Sequence, residues 1–289
     1  MNSSRAKISR VYPFSVVDGP GARLAIFLQG CQFRCAICHN PHTQGICDDC
    51  GLCVPACPRG ALRLESGRME FRADLCDHCD ACLRACPIDA NPMAQDMSVD
   101  DLLALMRRYR PFLEGVTVSG GEPTMQLKFL AWVGQGMRET PELQGLTLFV
   151  DSNGHLPESG WRALAPHFDA AMIDVKALDP ALHRRLTGFD NARPLASARW
   201  LKWAGKLYEL RAPLIPGVTD TDAALDALAG FVRELGADQR LRLNAFQRHG
   251  VKGEAANWPA MTRERLEAAA ARLRGQGLEN VATPSVYLG

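Results

Sequence analysis

Leu24-Ala25-Ile26-Phe27-Leu28-Gln29-Gly30-Cys31-Gln32-Phe33-Arg34-Cys35-Ala36-Ile37-Cys38-His39-Asn40-Pro41 joins a short apolar run to a loop carrying three cysteines. The apolar run suits a strand buried on both faces, as in a parallel sheet. It empties through Gln29-Gly30, so Cys31 stands at a strand exit. Further strands are expected at 115–118, 146–150, 170–175, 207–214 and 241–245, and helices at 126–136, 158–165, 195–205, 222–235 and 263–275. Ser98 is placed to cap an amphipathic helix at 99–109. Strands alternating with helices predict βα units and a mainly parallel sheet. With the opening strand they make six units, which favours an α/β fold of the partial (β/α)6 TIM-like barrel type over a doubly wound open sheet.

The chain has 289 residues and 11 cysteines, all between Cys31 and Cys86. An odd and local set, with a polar start that lacks a signal-peptide core, argues against a secreted disulfide framework and for metal or iron–sulfur ligation. A hydrophobic share of 47% excludes wholesale disorder, and a formal net charge of +1 excludes a generally nucleic-acid-coating surface. No apolar run approaches the roughly 18 residues needed to cross a bilayer. A cytoplasmic protein with neither nucleic acid nor membrane as partner is therefore expected. Trp200 and Trp203 with Arg199 and Lys202 read as one face of an amphipathic helix, and no Walker loop or dinucleotide fingerprint supports ATP or NAD.

Residues 46–92 are rich in Cys, Asp, Pro and Gly and read as an inserted domain, interrupting a barrel made by 1–45 and 93–289. Two blocks of it repeat one spacing, C-x2-C-x2-C-x3-C-P: Cys47, Cys50, Cys53, Cys57, then Cys76, Cys79, Cys82, Cys86. This is the run of bacterial two-cluster ferredoxins, in which the fourth cysteine serves the other block's cluster. One expected [4Fe-4S] set is Cys47, Cys50, Cys53 and Cys86; the other is Cys76, Cys79, Cys82 and Cys57. Two zinc knuckles are the rival, disfavoured by the Cys-Pro endings. Either electron relay or plain stapling of a core-poor segment suits such an insert.

Cys31, Cys35 and Cys38, at spacing C-x3-C-x2-C, can hold three corners of a four-iron cluster and leave one iron open to a ligand. A zinc site completed by His39, or three unrelated buried cysteines, are the alternatives. This loop after a first strand resembles the radical S-adenosylmethionine (SAM) superfamily. With Val17-Asp18-Gly19-Pro20-Gly21-Ala22-Arg23 before it and Cys38-His39-Asn40 closing it, the chain is similar to the activating enzymes of glycyl-radical enzymes. The likeness runs over essentially the whole length and is greatest to YjjW-type activases with a two-cluster insert.

The resemblance implies that the cluster on Cys31, Cys35 and Cys38 chelates SAM, and that one electron cleaves SAM to methionine and a 5′-deoxyadenosyl radical. The radical then takes a hydrogen atom from a glycine of a partner glycyl-radical enzyme. A reduced flavodoxin or ferredoxin is the implied electron donor. The implied cofactor contacts are Ile37, Cys38 and His39; Gly120, Gly121 and Glu122 of a GGEP motif; Asp151 and Ser152; Asp174 and Lys176 of a D-x-K motif; Arg211; and His249. Gln247 rather than His249 occupies the position where some relatives carry a histidine. Asp151 and Asp174 are also the implied neighbours of a monovalent cation. Taken singly these residues read as a Gly-Gly turn, a polar turn, a surface ion pair, a solvated arginine and a loop histidine. Together they mark successive strand exits, which in a parallel barrel share one rim. A radical SAM enzyme acting on a small molecule, and a non-catalytic iron–sulfur electron-transfer module, are the alternative functions.

Overall fold

The computed structural model describes residues 5–284. Two compact units divide the chain, residues 1–32 with 40–146 and residues 33–39 with 147–289.

The first unit holds, in chain order, β1 (Arg5–Ser15), β2 (Arg23–Leu28), β3 (Leu62–Glu65), β4 (Arg68–Phe71), α1 (Ala81–Ala85), β5 (Gln95–Ser98), α2 (Val99–Tyr109), β6 (Gly115–Gly120) and α3 (Leu127–Glu139). Its sheet runs β5-β1-β2-β6. β2 lies parallel to β6, Arg23 opposite Gly115 and Leu28 opposite Gly120, while β1 is antiparallel to both β2 and β5. Leu24, Ala25, Ile26 and Leu28 are buried, as a central strand covered on both faces requires. α2 starts on the expected Ser98, whose hydroxyl accepts from Asp101 N–H while the Asp101 carboxylate accepts from Ser98 N–H. β3 and β4 form a separate hairpin. Ser66 and Gly67, at φ 50° and 74°, form its two-residue turn, and paired positive φ values match the twist of the strands they join.

The second unit alternates β7 (Thr147–Ser152), α4 (Glu158–Leu164), β8 (Ala170–Asp174), α5 (Pro180–Thr187), α6 (Ala192–Trp203), β9 (Leu207–Leu214), α7 (Asp222–Leu235), β10 (Leu241–Ala245), α8 (Arg263–Gly275) and β11 (Val281–Ala282). All its strands are parallel, in the order β7-β8-β9-β10-β11. The α/β class and the mostly parallel strands agree with the sequence expectation, and β9, β10, α7 and α8 carry the expected bounds. α6 starts at Ala192 rather than 195, because Asn191 binds the carbonyls of Ala177 and Leu178 and Pro194 is tolerated in a first helical turn. β1, β3, β4, β5, α1, α5 and β11 are elements the hydrophobic pattern did not announce. β1 buries only Ala6 and Ile8, too few to set a period. Among the described residues no helix is long and apolar enough to cross a membrane.

Candidate functional site

The three-cysteine loop is anchored in the second unit from Phe33 onward. Phe33 is buried against His155, His183 and Phe189, with ring centroids at 5.2, 5.8 and 5.3 Å. Arg34 N–H donates to Thr187 O at 3.0 Å and Ala36 N–H to Leu186 O at 2.8 Å, so the last turn of α5 templates the loop backbone. Carbonyls at a helix C-terminus lack intrahelical donors and are free to do this. Ile37, an expected cofactor contact, is a core residue among Ala177, Leu186, Ile215 and Phe246. Burying it contributes about 2 kcal/mol and fixes the cysteines on either side of it. Cys31, at the end of the first unit's segment, is held by its N–H to Gln44 O at 3.0 Å.

Asp174 closes β8, and Lys176 Nζ donates to its Oδ2 at 2.7 Å; both side chains are largely buried. Burial works against the lysine's charge, but Asp174 and then Cys35 outweigh it, so its pKa is raised. Burial pushes the Cys35 thiol up to about 12, a rise opposed by Lys176 and increased by Cys38 and Asp174. An ammonium beside two thiols favours their thiolates and attracts an anionic group.

Arg211 lies within β9, directly opposite Asp174 in the ladder. Its guanidinium reaches Asp151 Oδ2 at 3.1 Å and Glu209 Oε1 at 2.8 Å, and Glu209 also accepts from Arg240 at 2.6 Å. Two carboxylates and two guanidinium groups thus form a network, largely buried at Asp151, Glu209 and Arg211 and partly exposed at Arg240, in which Asp151, expected next to SAM or a cation, meets Arg211. Ser152 Oγ accepts from Gly154 N–H at 3.0 Å, a turn that ends β7. Glu209 and Arg240 were not anticipated. Alternation along β9, which puts Glu209 and Arg211 on one face, is the signal that finds the first of them.

His39 Nε2 lies 3.1 Å from the backbone carbonyl of Gln247, and burial lowers its pKa, reinforced by Lys176. A Cβ on Gly250 would stand 2.3 Å from His39 O, so only glycine lets the loop after β10 approach this closely. His249 is itself exposed within that loop.

In the first unit the GGEP segment closes on the exit of β2. Gly121 N–H donates to Leu28 O at 2.9 Å and Glu122 N–H to Gly30 O at 2.8 Å. A Cβ on Gly120 would stand 2.2 Å from Leu28 O, and one on Gly121 2.3 Å from Gly30 O. Both glycines are therefore demanded by backbone packing. Glu122 is fully buried, its Oε1 accepting from Thr124 N–H at 3.0 Å and Thr124 Oγ1 at 2.6 Å.

The two cysteine blocks repeat in conformation as well as spacing. Asp49 and His78 share a positive φ (60° and 58°), as do Gly51 and Asp80 (75° and 57°) and Gly60 and Asp89 (62° and 54°). Cys50 N–H donates to Asp48 and Cys79 N–H to Asp77, each at 3.3 Å; Ala61 and Ala90 N–H donate to Cys57 and Cys86 Sγ, again at 3.3 Å. Cys47, Cys50, Cys53 and Cys86 line one small cavity, and Cys57, Cys76, Cys79 and Cys82 another. Cys53 and Cys82, with Leu62, are the buried centre of this segment, and burial pushes the Cys53 thiol up to about 11.

Residues 25–228 match the Radical SAM superfamily. The benzylsuccinate synthase activating enzyme of Thauera aromatica is 35% identical over 247 residues, covering 78% of this chain and 73% of that protein. The isethionate sulfite-lyase activating enzyme of Nitratidesulfovibrio vulgaris is 32% identical over 293 residues, covering 91% of this chain and 94% of that protein. In fold alone, the chain is similar to QueE from Escherichia coli, with a TM-score of 0.53 at 14% identity over 98% of this chain and 95% of that one. With its three-cysteine loop at the exit of a parallel strand and this extent of likeness, the chain belongs to the radical SAM superfamily, among the activating enzymes of glycyl-radical enzymes.

Proposed function

We propose that this chain activates a glycyl-radical enzyme by radical SAM chemistry. The observation that carries the reading is the loop itself: Cys35 and Cys38 flank a buried Ile37, α5 holds the loop backbone, and the Asp174–Lys176 pair stands beside the thiols. Cys31, Cys35 and Cys38 would hold three corners of a [4Fe-4S] cluster, which would supply the electron for cleaving SAM to methionine and a 5′-deoxyadenosyl radical able to take hydrogen from the partner's glycine. The donor set fits such a group, since a thiol raised by burial, as that of Cys35 is, becomes a good ligand once a metal replaces its proton. Lys176 favours the thiolates and any carboxylate nearby. Arg211, offset by Asp151 and Glu209, stiffens the strand ends behind them.

The finer reading is a partial (β/α)6 barrel formed by 1–45 and 93–289, with residues 46–92 as a ferredoxin-like insert holding two further [4Fe-4S] clusters on the crossed cysteine sets. Its support is the pair of four-cysteine cavities. A reduced flavodoxin or ferredoxin in the cytoplasm supplies the electron. The carboxylates expected beside a monovalent cation, Asp151 and Asp174, meet Arg211 and Lys176.

The test is anaerobic turnover with SAM and reduced flavodoxin. Expected are 5′-deoxyadenosine from the chain alone and a glycyl-radical doublet in electron paramagnetic resonance only when a glycyl-radical enzyme is added, both lost in Cys35→Ala. Nucleoside formation without any protein radical would favour small-molecule chemistry, and no SAM cleavage at all would favour an electron-transfer module.

A further inference from the structure

Because the two cysteine blocks share a backbone, differences between matched side chains isolate what makes their sites unequal. Asp49 Oδ1 lies 4.0 Å from Cys47 Sγ, and Asp48 lines the same cavity. The counterpart of Asp49 in the second block is His78. The counterpart of Asp48 is Asp77, which faces Arg59 Nε at 3.8 Å. The second block also carries Asp80 in place of Gly51 and Asp89 in place of Gly60; Asp80 lines the second four-cysteine cavity with Asp77, and on its other side it shares a cavity of about 330 Å³ with Arg10 of β1 and with His42 and His78. Arg10 has a raised pKa, first through its hydrogen bond to Tyr12 and then through the charges of Asp80 and Cys76. Asp48 and Asp49 thus stand by the first set of thiols, while Arg59 and Arg10 offset Asp77 and Asp80 by the second.

The first set is also the one tied to Cys31. Cys31 N–H binds Gln44 O, and Gly45 N–H binds Asp89 O at 2.9 Å. The Ile46 side chain lies 3.3 Å from where a Cβ on Gly30 would stand. Residues 44–46 thus run directly from the backbone of Cys31 to Cys47.

Resting on the reading that both sets bind [4Fe-4S] clusters, we propose that the two sites are tuned apart: Asp48 and Asp49 give the Cys47, Cys50, Cys53, Cys86 site the lower reduction potential, and Arg10 and Arg59 give the Cys57, Cys76, Cys79, Cys82 site the higher. Reduction adds one negative charge to a cluster, which nearby carboxylates oppose and nearby cations favour. The stronger reductant is then the site linked through residues 44–46 to Cys31, one of the cysteines whose cluster must receive a strongly reducing electron. Asp49 and Arg10 are tuning residues that act through the thiolates.

The experiment is a potentiometric titration of the anaerobically reconstituted full-length chain, followed by electron paramagnetic resonance, with the wave that responds to added SAM assigned to the three-cysteine loop. Metal analysis comes first: zinc in place of iron in the insert defeats the cluster reading, and the proposal with it, before any potential is measured. With iron in place, two separated insert waves are expected. Asp49→Asn keeps an oxygen for Met69 N–H, which donates to Asp49 at 2.8 Å, and removes only the charge. It should raise the lower wave by about 59 mV for one electron, about a tenfold fall in the oxidised-to-reduced ratio at a fixed potential, and leave the upper wave in place. Arg10→Gln should lower the upper wave alone. Coincident wild-type waves, or an Asp49→Asn chain of unchanged iron content whose lower wave stays put, overturn the proposal. Should Asp49→Asn lose iron, Asp48→Asn, which keeps the acceptor for Cys50 N–H, makes the same comparison.

Discussion

Gly121 shows how a motif residue is fixed by packing before it meets any ligand. Its α-carbon sits where a methyl group would stand 2.3 Å from Gly30 O and 2.5 Å from Thr43 O, and backbone atoms cannot move aside as a flexible side chain can. Gly121→Ala should cost roughly 2 kcal/mol or more by overpacking, read as a lowered denaturation midpoint, with SAM cleavage falling in parallel. A second residue-scale effect lies beneath the cysteine loop. His183 is fully buried, with Nδ1 2.7 Å from Phe189 O, and burial holds its pKa below the ordinary value near 6.5, helped by the charge of Lys176. As pH falls below 6.5 the unfolded chain takes up this proton first, so the stabilisation from a neutral His183 is complete above 6.5 and is lost on descending toward the folded value. Urea denaturation followed from pH 8 to 5 should show stability dropping on the acid side, with a shallower drop in His183→Asn. Gly121 was legible as a motif residue, but its steric reason was not, because it depends on chain segments far away in sequence.

At the scale of elements, the helices that sequence reading located best are those with a capping signal and a steady apolar stripe. α2 has both, and Ser98→Ala should lower stability by about 1 kcal/mol while leaving 5′-deoxyadenosine formation unchanged; chemical denaturation and a turnover assay check the two halves of that statement. α5 also carried punctuation. Asp179 Oδ1 accepts from Leu182 N–H at 2.6 Å, Pro180 starts the helix, and Gly188 ends it at φ 88°. Its mean composition is polar and it buries only His183, Leu186 and Thr187, so periodicity passed over the element that supports the cysteine loop. β1 and β5 were passed over for a related reason. β5 is the edge of the sheet and β1 lies next to it, between β5 and β2, and strands with so few buried residues give little alternation to read.

For the molecule as a whole, the crossed ligand sets make a prediction that simple in-block pairing does not. Cys86→Ser should remove the same cluster as Cys47→Ser, and Cys57→Ser the same one as Cys76→Ser, each reducing iron from roughly twelve to roughly eight per chain. Matching spectra within these pairs, and different spectra between them, are the expected result; Cys86→Ser matching Cys76→Ser would return the ligands to their own blocks. The sequence by itself determined the βα order of the second unit, the place of the three-cysteine loop and the identity of the thiols, because strand burial, helix capping and ligand spacing are all written within a few neighbouring residues. Only the tertiary structure decided that Arg211 meets Asp151 and Glu209, that α5 and Phe33 hold the loop, and that Arg59 faces Asp77 while Arg10 shares a cavity with Asp80. Those outcomes depend on side chains brought together from distant segments, and a charge or a carbonyl acts on what lies near it in space, however far apart the two are along the chain.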